Sequence, residues 1–119
     1  IPENKVEETN EFIIPANPLA DAEEKLSEGD VGHFYKALDV SFYNYLSEKL
    51  KVPAEELTKK KINERMDKCN VGVGTTLLVN SLLEDIELNL YAPASSETQM
   101  QQVYEKASEA VSLLDKQIS

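Results

Sequence analysis

This chain has no tryptophan, one cysteine, one histidine and four glycines, and its 12 Lys and Arg residues stand against 22 Asp and Glu. Each shortage excludes something. Cys69 has no second cysteine to pair with, so no intramolecular disulfide holds the fold, and a single thiol suits a reducing compartment. One histidine, His33, falls short of a zinc-type ligand set. A formal net charge of −10 repels phosphate backbones and anionic lipid heads, which argues against nucleic acid as a partner and against direct membrane docking. No apolar run approaches the ~18 residues that span a bilayer. The longest cluster, Leu77-Leu78-Val79, is broken by Asn80, so this segment is not expected to insert into a membrane. The opening residues IPENKVEETN lack the basic and apolar regions of a signal peptide. The chain starts on Ile1 rather than Met and is read as a fragment of a longer protein.

The 119 residues, 41% hydrophobic and 29% charged, fit one globular domain. Residues 1–17 carry Pro2 and Pro15 and no helical period, so they are read as a linker or extended strap, with Phe12-Ile13-Ile14 as its adhesive part. Residues 18–119 are read as a single helical domain. Asn17 and Pro18 mark a helix start and Gly29 a left-handed stop, giving a first helix over 18–28. Asp30 caps a second helix over 31–51, on which Val31, Phe34, Leu38, Phe42, Tyr45 and Leu46 share an arc of about 120°. Tyr35 and Leu50 extend that stripe, while Val40 and Tyr43 lie across from it.

A short helical turn is expected from Pro53 to Leu57. Thr58 then caps a helix ending near Cys69, with Ile62 and Met66 inward and Asn70 as a left-handed stop. The next helix is expected from about Gly74 to Leu90, with Leu78, Val79, Leu82, Leu83, Ile86 and Leu90 on one face. Leu77 and Leu88 fall off that face, so this helix is expected to be central. Tyr91-Ala92-Pro93 ends it. Ser96 and Gln99 form a capping box opening a last helix to about Gln117, with a stripe from Met100 to Ile118. The fold class is therefore all-α, a compact irregular bundle of four to five helices with no sheet.

Chemistry-bearing residues are sparse. His33 beside the capping Asp30 is read as structural. Cys69 has Arg65 and Lys68 nearby, yet no resolving cysteine, and is read as a packed thiol. Val71-Gly72-Val73-Gly74 lacks the lysine and preceding strand of a phosphate loop and reads as a turn. Glu84, Asp85 and Glu87 are read as a solvated helix face. Glu87, four residues before Tyr91, is a candidate hydrogen-bonding partner within the turn that follows. No catalytic, cofactor-binding or metal-ligating residue is assigned. Lys59-Lys60-Lys61, the one basic run, and the tyrosines Tyr35, Tyr43 and Tyr91 are the candidate partner-binding residues, because tyrosine brings contact area at low entropic cost. Tyr43 is expected to be exposed or covered by another segment such as Phe12 to Ile14.

The order of landmarks adds a family resemblance. L-x6-L-x2-G-D at Leu19 to Asp30 is followed by F-Y-x-A-L at Phe34 to Leu38, Y-L-S-E-K-L at Tyr45 to Leu50 and V-P-A-E-E-L at Val52 to Leu57. Then come E-x3-Y-A-P at Glu87 to Pro93 and Y-E-K-A at Tyr104 to Ala107. Over Leu19 to Ile118 the chain resembles the cytoplasmic C-terminal helical domain of BatD-type proteins of the Bacteroides aerotolerance operon. It departs from them in the glycines and threonines of Gly72 to Thr76 and in an acidic rather than basic amino-terminal segment. The resemblance implies a non-enzymatic protein-protein interaction domain on the cytoplasmic face of the inner membrane, tethered by an upstream transmembrane helix. It also implies a membrane-associated complex with a MoxR-type ATPase and von Willebrand A-type proteins. The alternative expectation is a free-standing soluble, cytoplasmic helical adaptor that binds peptide segments in a groove.

Overall fold

Residues 17–92 and 96–118 are described by a computed structural model. Five α-helices follow in order: α1 (Ala20–Glu28), α2 (Val31–Leu50), α3 (Lys59–Lys68), α4 (Val73–Tyr91) and α5 (Glu97–Gln117), with one 3-10 turn at Ala54–Glu56. No strand occurs among the described residues, and none of their helices is long and apolar enough to cross a membrane.

The caps explain where the helices start and stop. Asp30, Thr58 and Ser96 accept the backbone N–H groups of His33, Lys61 and Gln99, satisfying donors that the first helical turn leaves free. At the other ends, three helices close with the same device, a residue in the left-handed region followed by an N–H that reaches back five residues. Gly29, Lys51 and Asn70 have φ of 70°, 58° and 61°. The N–H groups of Asp30, Val52 and Val71 donate to the carbonyls of Lys25, Ser47 and Met66. Lys51 is thus the stop of α2 rather than its last residue. Asn17 sits just ahead of α1, its Oδ1 accepting the Leu19 N–H at 2.9 Å, and the helix begins at Ala20 rather than Pro18.

Helix α2 packs against all four other helices, so its wide apolar stripe becomes the centre of the core. Phe34, Tyr35, Leu38, Phe42, Leu46 and Leu50 are all buried. Ile62 and Met66 of α3, Val79, Leu82, Leu83 and Ile86 of α4, and Met100, Ala107, Ala110 and Leu114 of α5 close around them. Tyr45 stays at the edge, its hydroxyl 2.6 Å from the Asp115 carboxylate, with Lys49 at 3.0 Å from the same group.

Helix α4 differs from expectation. Its buried set includes Thr75 and Asn89, whereas Leu90 is exposed and Leu78 only half-buried. The Asn89 amide donates to the Asp85 carbonyl at 2.8 Å, which lets a polar residue turn inward at the helix end. Helix α4 packs against α2, α3 and α5, but on one side only. Leu77 and Leu88 face outward, because α2, α3 and α5 cover one side of the helix and nothing among the described residues covers the other. The linker reading of residues 1–16, with Phe12 to Ile14, and the Pro93 stop lie outside the described residues.

Candidate functional site

A groove of about 920 Å³ lies at the meeting of α2, α3 and α4. Helix periodicity places its walls. Asp39 and Tyr43, four apart, share one face of α2, and Leu83, Glu87, Leu90 and Tyr91 descend one side of α4. Between them the chain entering α3 supplies Leu57, Thr58, Lys59 and Lys60. Leu57 and Leu83 form a buried apolar floor, Tyr43 a half-buried wall, and Tyr91 an exposed lip.

The charges are arranged around that floor. The Lys59 ammonium lies 2.9 Å from Glu87 Oε1, joining the start of α3 to the end of α4. A cation at a helix N-terminus opposes the macrodipole. The Glu87 carboxylate offsets this and raises the lysine above its ordinary pKa by hydrogen bonding. Glu87 therefore pairs across the fold with Lys59 and not within its own turn. Burial pushes the Asp39 carboxyl up. Burial and then the neighbouring Asp39 charge push the Tyr43 phenol up as well. Lys60 is exposed and has no ion-pair partner among the described residues, so one cation remains available at the rim.

Four of the six side chains singled out from sequence (Tyr43, Tyr91, Lys59 and Lys60) line this one groove. Lys61 does not line it. Its backbone N–H is the donor that Thr58 caps, and its side chain is half-buried elsewhere. Tyr35 is a correction: it is 1% exposed, in the core beside Phe34, with ring centroids 4.9 Å apart at 78°. It falls within the arc of Leu38, Phe42 and Leu46, all of which are buried in the core. Its hydroxyl is buried without a hydrogen-bond partner among the described residues, and burial raises its pKa. Asp39, Leu57, Leu83 and Leu90 belong to the groove and were not singled out. Only the i, i+4 relation of Asp39 to Tyr43 and the adjacency of Leu90 to Tyr91 hinted at them.

The remaining candidates are occupied locally. His33 Nδ1 lies 2.8 Å from the capping Asp30 carboxylate, at an exposed helix start, and this bond holds the Asp30 carboxyl below its usual range. Cys69 is a half-buried free thiol. In the glycine-containing turn, the Gly72 N–H donates to Gln117 Oε1 at 2.8 Å, while Gln117 Nε2 donates to Thr75 Oγ1 at 2.8 Å. That turn is a tether to α5. Asp85 pairs with Lys106 at 2.6 Å, leaving Glu84 exposed. Among the described residues no three metal-ligating side chains cluster. Compared with protein-family models, with curated proteins and with solved structures, the chain matches none.

Proposed function

We propose that this chain is a non-enzymatic protein-interaction domain that holds a short segment of a partner protein in the groove between Tyr43 and Tyr91. The observation that carries the reading is the convergence of Tyr43, Lys59, Lys60 and Tyr91 from three helices onto one apolar-floored groove. Aromatic side chains beside an aliphatic floor anchor an apolar residue, and the unpaired Lys60 at the rim favours a carboxylate next to that anchor. The partner segment is therefore short, with one large apolar side chain flanked by Asp or Glu. The resemblance of Leu19 to Ile118 to BatD-type cytoplasmic domains supports a setting for it: the cytoplasmic face of the inner membrane, beneath a transmembrane tether, beside a MoxR-type ATPase and von Willebrand A-type proteins. A free-standing adaptor would use the same groove in the same way.

The test is a titration of the ¹⁵N-labelled domain with the soluble portions of the von Willebrand A-type proteins and the ATPase encoded beside it. Amide shifts centred on Tyr43, Lys60, Leu90 and Tyr91 are expected, with affinity reduced about tenfold or more in Lys60→Glu and Tyr91→Ala. Both residues are exposed, so folding should be unchanged in these variants. Shifts centred on another surface would overturn the groove. No binding to any of those proteins would overturn the complex.

A further inference from the structure

A second surface, distinct from the groove, lies on the outward side of α4. Val73, Leu77, Leu88 and Tyr91 are 77%, 65%, 62% and 83% exposed. At 100° per residue they fall within an arc of about 60°, and at 1.5 Å rise the stripe runs about 27 Å along the helix. The outward face of a helix in a globular domain is ordinarily polar. Val73 with Leu77 and Leu88 with Tyr91 make two exposed apolar pairs, one at each end of this face, with Glu84 on the turns between them.

The charges beside the stripe select its occupant. Glu84 lies in the middle of it, and Asp67 of α3 borders Val73 and Leu77 across a hollow of about 190 Å³. Neither acid has an ion-pair partner among the described residues, whereas Glu87 and Asp85 are matched by Lys59 and Lys106. The chain as a whole carries −10. A second copy would bring the same acids and the same net charge to the contact, so like-charge repulsion opposes self-association. A straight helix face five turns long, apolar at both ends and acidic between, fits another helix laid along it, whose anchors meet Val73 and Leu77 at one end and Leu88 and Tyr91 at the other.

We infer that the solvent face of α4 docks a basic amphipathic helix of a partner protein, with apolar anchors over Val73, Leu77, Leu88 and Tyr91 and Lys or Arg flanks meeting Asp67 and Glu84. This goes beyond the groove reading and shares only Tyr91 with it, so Leu77 and Leu88 report on the stripe alone.

The probe is a fluorescein-labelled synthetic amphipathic helix with leucine anchors and lysine flanks, compared with the same peptide carrying glutamate flanks. Anisotropy is followed at low and high salt, and amide shifts map the contact. The lysine peptide is expected to bind with shifts along Val73, Leu77 and Leu88. Binding should weaken tenfold or more in Leu77→Ser/Leu88→Ser, and a few-fold in Glu84→Lys with a shallower salt dependence. Lys60→Glu should leave it unweakened. The glutamate peptide should not bind. Circular dichroism of Leu77→Ser/Leu88→Ser should match the parent chain, since both leucines are exposed. Three outcomes overturn the inference. One is peptide binding that the double serine variant does not weaken. Another is a concentration-dependent dimer in sedimentation that this variant abolishes, which would assign the face to a second copy. The last is a shift of Phe12, Ile13 and Ile14 amides in that variant without peptide, which would assign it to the chain's own amino-terminal segment.

Discussion

Replacing Tyr35 by phenylalanine should stabilise this protein. The tyrosine is 1% exposed and its ring packs edge-to-face on Phe34, yet its hydroxyl is buried with no hydrogen-bond partner among the described residues. Removing a hydroxyl from water without replacing its hydrogen bonds costs about 1–3 kcal/mol by mutational data. Phenylalanine keeps the ring, its contact area and the 4.9 Å contact with Phe34, and removes only the stranded oxygen. The void left is about one oxygen atom in size, and lost dispersion contacts reduce the gain. A net stabilisation of about 1–2 kcal/mol follows. In urea unfolding the midpoint should rise with m unchanged, because the surface exposed on unfolding is nearly the same. In thermal unfolding a domain of this size should gain roughly 3–6 °C per kcal/mol. A destabilisation of 0.5 kcal/mol or more would refute the reasoning, since it would show that the hydroxyl has a partner whose loss outweighs the desolvation relief.

Other outcomes follow from the same packing. Leu46→Ala should cost about 3–5 kcal/mol, because Leu46 is fully buried where α2 meets the other helices, and urea unfolding would register it. Lys51→Gly should raise stability by about 1 kcal/mol, since Lys51 holds a φ of 58° that a β-carbon disfavours and its side chain is exposed; an unchanged urea midpoint would contradict this. Stability should fall as pH rises above about 10. Burial raises the folded-state pKa of Tyr35, Tyr43 and Tyr45, with the Asp115 hydrogen bond adding to it at Tyr45, so the unfolded chain loses phenolic protons first and alkali favours unfolding. Urea midpoints measured across that range should show a shallower decline in Tyr45→Phe.

The helices were legible from the sequence because what specifies them is local. Asp30, Thr58 and Ser96 each satisfy an N–H three residues onward, and Gly29 and Asn70 take the left-handed stop, so short-range chemistry sets those boundaries. The apolar spacing of α2 and α5 likewise declared one buried side for each. Periodicity says which residues share a face. It does not say which neighbour covers that face, or how far the cover extends. Tyr35 falls inside the buried arc of α2 and Tyr43 at its margin, and only the packing of the neighbouring helices made one core and the other a groove wall. Leu90 was assigned inward by its spacing, and at the end of α4 it lines the open groove instead of the core.

The groove itself was beyond sequence reading for the same reason. Lys59 and Glu87 are 28 residues apart, and neither residue names the other; their contact exists because α3 starts where α4 ends. The composition, the caps and the apolar periods by themselves determined an acidic all-α domain with a core centred on α2. Which apolar residues remained outside, at the Tyr43–Tyr91 groove and along Val73, Leu77 and Leu88, was decided only by how five helices of unequal length pack, since a helix can be covered only as far as its neighbours reach.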